Sequence, residues 1–182
     1  METTRASRPD DSRSRSRVEA VDRFEALVAI HQRDVLRLCY AVCGDPDRAR
    51  DAAQRTWLAA WRGIGALRDP ARIRAWLVAI ALREARREMR EHRRRSVREV
   101  AVTAIDLDIV DRSFAKGELT PDVDLARALA RLDPEDRALV TLRYVLGFDS
   151  FEIGAMTGRS ASGTRARLAR LLARMREELG DA

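Results

Sequence analysis

Arginine is the residue type here whose number and spacing could do chemistry. Residues 159–176, RSASGTRARLARLLARMR, hold six arginines and no acid, and residues 83–98 hold eight arginines against three glutamates. Guanidinium groups at this density suit a polyanion: they displace the counterions condensed on a nucleic acid, and the planar fork pairs with a phosphate or with the edge of a guanine. Residues 99–124 reverse the sign, with seven acids against Arg112 and Lys116, the only lysine in the chain. Two basic blocks separated by an acidic stretch are more specific than a uniformly basic surface. The net charge of +6 and the pI near 10.4 point the same way, to a polyanionic partner.

Other chemistry finds little support. Cys39 and Cys43 lie four apart, with His31 on roughly the same side of an expected helix, a poor ligand set for a metal; small reduced core thiols are the simpler reading. There is no glycine-rich phosphate loop, no His-Glu metal motif and no nucleophile beside a base, so no enzyme and no cofactor are expected. No apolar run is long enough to span a bilayer and no signal peptide opens the chain, so the expected location is the cytoplasm, without membrane insertion.

The arginines need elements to aim them. In FDSFEIGAMTGRSASGTRARLARLLARM, residues 148–175, Ser150 can cap a short helix with Ile153 and Met156 inside, Gly158 supplies a turn, and Ser160 can cap a last helix. On that last helix Leu168, Leu171, Leu172 and Met175 form one stripe, continued by Ala161 and Thr164. Ser162, Gly163, Ala166, Arg167, Arg170 and Arg174 face the other way, with Arg165 flanking. This is the pattern of a helix-turn-helix whose outer face enters a DNA groove, the alternative being a solvated amphipathic helix.

Upstream, Phe24, Leu27, Val28, Val35, Leu38, Cys39 and Val42 give one apolar helical stripe, stopped at Gly44. Asp45-Pro46, Asp69-Pro70 and Asp133-Pro134 each start a helix, the acid accepting orphan amides and the proline preset for the first turn. The second helix, 46–62, places Ala49, Ala53, Trp57, Ala60 and Trp61 on one side; the third, 70–95, buries Ile73, Trp76, Leu77 and Ile80 and then runs into REARREMREHRRR, expected to belong to solvent or a polyanion. Trp57, Trp61 and Trp76 read most simply as core. The fold class is therefore all-α: a disordered tail 1–17, a helical bundle 18–98, an acidic linker 99–121 and a second bundle 122–182 with helices over 122–131 and 134–146 before the helix-turn-helix.

Together these modules resemble a bacterial sigma factor of the sigma-70 family, in its compact extracytoplasmic-function group, over residues 22–179. RARDAAQRTWLAAW (48–61) is similar to the family's polymerase-binding helix, RIRAWLVAIA (72–81) to its F-R-x-W-L-x-x-I-A, and LARLDPEDRALVTLRYVLGFDSFEIGAMTGRS to the helices that carry its upstream-element reader. The resemblance implies a sigma2-like helical bundle and a sigma4-like helix-turn-helix joined by the acidic linker. It implies core RNA polymerase as partner, with Asp51, Gln54, Trp57, Leu58 and Trp61 on the clamp helices of the β′ subunit. It implies promoter DNA, with Arg68, Arg83, Arg86, Arg87 and Arg90 at the downstream minus-ten element and Ser162, Gly163, Arg165, Arg167, Arg170 and Arg174 at the upstream minus-thirty-five element. It also implies an anti-sigma factor.

The sequence departs from the family pattern at several of these places. Arg50 and Arg55 stand where acids flank the clamp-binding pair, Arg83 stands where asparagine is frequent, and SASGTRARL replaces S-x-G-T-V-K-S-R-L. Arg50 and Arg55 therefore motivate a second reading, a helix-turn-helix regulator without productive polymerase binding. A third is an interaction module for an acidic protein partner.

Overall fold

The computed structural model describes residues 9–96 and 129–180. Every regular element among them is helical: α1 (Pro9–Cys43), α2 (Pro46–Gly63), α3 (Ile73–Ser96), α4 (Pro134–Val140), α5 (Ser150–Thr157) and α6 (Ala161–Gly180). The acidic linker and most of the helix expected over 122–131 lie outside the described residues, of which 129–131 are helical. Residues Met1–Gln32 form one unit and Arg33–Ala182 a second.

Helix α1 starts at Pro9, inside the stretch expected as a tail. Of the apolar stripe, Leu27, Val35, Leu38, Cys39 and Val42 are buried, and Phe24 and Val28 are half-buried. Asp45 and Asp133 cap as expected, accepting from the backbone N–H of Arg48 and Asp136 at 2.8 Å. Asp69-Pro70 instead opens a single 3-10 turn (Pro70–Arg72), which hands over to α3. The helix expected over 134–146 is α4 followed by one π turn, Thr141–Val145.

In the second unit one continuous cluster of buried side chains joins the first bundle to the second, with Val35, Leu38, Val78, Leu82, Leu132, Leu139, Leu142, Phe148, Ile153 and Leu168 among its members. Helix α2 packs on α3 through small residues, Ala49, Ala52, Ala53, Thr56 and Ala60, which let the backbones approach closely. One face of the second half of α3 stays in the core as far as Met89, while Arg83, Arg87, Arg90 and residues 92–95 are exposed as the composition suggests. Ala85 is fully buried, Met89 packs against the cluster, and Glu84 and Glu88 are buried too. The tryptophans need correction as well: Trp61 is 45% exposed and Trp57 half-buried, because alanines occupy the interior face of α2, and Trp76 on α3 is half-buried too.

Polar contacts tie the second bundle to the first. Arg137 donates to the carbonyl of Ala41 at 2.6 Å, and Arg74 to that of Leu146 at 2.7 Å while lying 4.7 Å over the Phe148 ring. Arg86 forks onto Glu135, its Nε 2.8 Å from Oε1. Burial lowers the Arg137 pKa, Asp133 opposing the shift.

Candidate nucleic-acid interface

Helix α5 is set by a reciprocal cap. The Asp149 carboxylate accepts from the N–H of Phe151 and of Glu152 at 2.8 Å, and Glu152 accepts from the N–H of Asp149 at 2.8 Å. Asp149 thus takes the capping role expected of Ser150, which is the first helical residue, because only the earlier position has an acid three residues on to close the box. Gly158, with φ of 71°, ends the helix in the left-handed region and turns the chain.

The turn then passes directly over Gly154, where a Cβ would stand 2.6 Å from the Arg159 carbonyl oxygen. No side chain fits there, so Gly154 sets how closely α6 crosses α5. Ser160 caps α6, its hydroxyl accepting from the Gly163 N–H at 3.1 Å.

Helix α6 seats Thr164, Leu168, Leu171 and Met175 in the core, with Leu172 half-buried. Ser162, Gly163, Arg165, Ala166, Arg170 and Arg174 are exposed, as the periodicity predicts. Arg167 is different. Its Nε and Nη2 donate to the two Asp136 oxygens at 2.7 and 2.8 Å, and its Nη2 lies 3.7 Å from Asp133. Arg167 is half-buried rather than on the outer face where the periodicity put it, because around the helix it falls between that face and Leu171.

On α3, Arg83, Arg87 and Arg90 are exposed, and Arg68 is exposed in the loop before Pro70. Arg83 pairs with Glu84 at 3.3 Å and Arg87 with Glu91 at 2.8 Å. Hydrogen bonds from Arg87 and then Arg55 hold the Glu91 carboxyl below its usual pKa, and the same pairing raises that of Arg87. Arg86 is only a quarter exposed and is held by Glu135.

Helix α2 carries a second surface. Asp51, Gln54, Leu58 and Trp61 recur at spacings of three and four and are all exposed, so two large apolar side chains meet solvent beside two polar ones. Arg55 lies off this face. It pairs with the buried Glu88 and, at 3.0 Å, with Glu91 on α3. Arg50 pairs with Asp47 on its own helix.

Cys39 and Cys43 are buried free thiols. Burial pushes both up, Cys43 to about 11, so they resist ionisation. No cluster of metal-ligating side chains occurs among the described residues, and no described helix is long and apolar enough to cross a membrane.

With this geometry the chain matches two family models, sigma-70 region 2 over residues 27–95 and sigma-70 region 4 over residues 122–175. It is 31% identical to the RNA polymerase sigma factor CarQ of Myxococcus xanthus over 169 residues, covering 92% of this chain and 95% of CarQ. It is 30% identical to the ECF RNA polymerase sigma factor SigL of Mycobacterium tuberculosis, covering 80% of this chain and 82% of SigL. It is 29% identical to the probable RNA polymerase sigma factor RfaY of Xanthomonas campestris pv. campestris, of whose length it spans 40%. In fold it is similar to the sigma factor RpoE solved with the anti-sigma factor NepR from Bartonella quintana, with a TM-score of 0.73 at 22% identity over 86% of this chain and 96% of that one.

Proposed function

Since the chain belongs to the sigma-70 family of RNA polymerase sigma factors, in its extracytoplasmic-function group, we propose that three of its surfaces divide the work of promoter-specific initiation. The outer face of α2, with Asp51, Gln54, Leu58 and Trp61 and with Trp57 at its edge, docks on the clamp helices of the polymerase β′ subunit. Arg68 and the α3 arginines Arg83, Arg87 and Arg90, joined by Arg86 once it leaves Glu135, engage the minus-ten element during melting. Ser162, Gly163, Arg165, Arg170 and Arg174 on α6 engage the minus-thirty-five element, and residues 18–98 and 122–182 act as the two modules joined by the acidic linker.

The protein acts in the cytoplasm, where polymerase is, and catalyses no covalent step. An anti-sigma factor as partner is supported by RpoE, which was solved with NepR.

One observation carries the polymerase half of this reading: Leu58 is 55% exposed and Trp61 45% exposed, in line with Asp51 and Gln54. Large apolar side chains held at a polar-flanked surface fit a protein partner better than DNA. The rival regulator reading drew on Arg50 and Arg55, and both cations pair internally, Arg55 away from this surface. Run-off transcription with purified core polymerase tests the proposal. Template-specific transcripts are expected, and DNA binding without core binding would return the chain to the regulator class.

A further inference from the structure

Arg167 carries the geometry of a structural joint on the helix otherwise built to meet DNA. We propose that Arg167 and Asp136 form a positioning pair, which fixes how α6 presents Ser162, Gly163, Arg165 and Arg170 to the upstream element; this rests on the reading of α6 given above.

A guanidinium reads a guanine or clamps a phosphate through two parallel N–H groups, and Arg167 has spent such an edge, Nε with Nη2, on Asp136 at 2.7 and 2.8 Å. The Asp136 side chain is 3% exposed, so swinging Arg167 into a groove would strand a buried carboxylate. The anchor itself is fixed. Asp133 caps the first turn of α4, and Arg137 donates to the carbonyls of Leu132 at 2.6 Å, Ala130 at 3.3 Å and Ala41 at 2.6 Å.

The apolar stripe of α6 decides which face turns inward, but dispersion contacts are non-directional and leave the helix some freedom to slide along its axis. A bidentate ion pair at mid-helix is directional and removes that freedom. Arg167 then acts on DNA through the placement of its neighbours.

The test is in vitro transcription by core polymerase saturated with each variant, on a promoter library randomised across the upstream element, with salt dependence measured in parallel. Asp136→Asn and Arg167→Gln are each expected to lower discrimination about tenfold. The loss should spread over every position of the element, the double variant should lose no more than the worse single one, and the salt slope should not change.

Loss confined to one base pair would make Arg167 a base reader. A salt slope lower by about one in Arg167→Gln, with Asp136→Asn silent, would make it a phosphate contact. Either result, or additive losses, overturns the proposal. Should Arg167→Gln fail to fold by circular dichroism, Arg167→Lys, which keeps the charge but not the fork, gives the same spread-or-confined readout. A wild-type protein that transcribes without any upstream preference overturns the reading of α6, and the positioning role with it, so the two failures are distinguishable.

Discussion

Arg55 shows how far one side chain's partner can shift the meaning of a motif. By sequence it intrudes a positive charge into a helix that resembles the family's polymerase-binding helix; in the structure it neutralises Glu88, whose side chain is 4% exposed, and Glu91 on the neighbouring helix. Arg55→Ala leaves Glu88 buried without this partner and is expected to destabilise the protein by about 1.5 to 3 kcal/mol in chemical denaturation. Core polymerase affinity should hold for Arg55→Met paired with Glu88→Leu, and a large loss there would put Arg55 on the docking face after all. The thiols give a pH prediction at the same scale. Cys43 is raised from its ordinary value of 9.0 to about 11 by burial, so its contribution is whole below pH 9 and disappears as pH climbs through 11. The alkaline fall in stability should flatten over that window in Cys39→Ala/Cys43→Ala; an unchanged profile would assign it elsewhere.

At the scale of elements, the crossing of α5 and α6 depends on a residue that no sequence pattern marked. A Cβ at Gly154 would sit 2.6 Å from a backbone oxygen that cannot rotate away, so Gly154→Ala must push the turn open. The expected cost is about 1 to 3 kcal/mol in thermal or chemical unfolding, with weakened upstream-promoter binding. Full stability together with normal promoter use would show that the turn has slack. Most element boundaries were legible because their signals are local: Asp45-Pro46, Gly44, Gly158 and Ser160 act within one turn of themselves. What was illegible depends on partners distant in sequence. Glu84 and Glu88 read as solvent-facing, and the Arg55–Glu88 pair across 33 residues shows why Glu88 is not. Trp61 read as core by size alone, but it is 45% exposed, because size does not say which face of α2 packs inward. The helical wheel put Arg167 on the outer face of α6, and its partner Asp136, 31 residues away, was what the spacing could not show.

For the whole molecule, the contact between Arg86 and Glu135 sets two tasks against each other. The family resemblance implies a downstream DNA role for Arg86, yet its fork is occupied by the first turn of α4 in the second bundle. One guanidinium edge cannot hold Glu135 and a phosphate together, so engagement of DNA by Arg86 requires this contact to open. The pair is partly exposed, 25% at Arg86 and 48% at Glu135, which limits its worth to about 0.2 to 1 kcal/mol. Glu135→Gln is therefore expected to raise affinity for a randomised single-stranded oligonucleotide pool by up to about fivefold, measured by fluorescence anisotropy at low salt. The gain should vanish when Arg86→Ala is added, since the released cation is then missing. An equal gain with and without Arg86 would instead mean that removing any acid from this basic surface helps, and that Glu135 imposes no specific restraint on the downstream arginines.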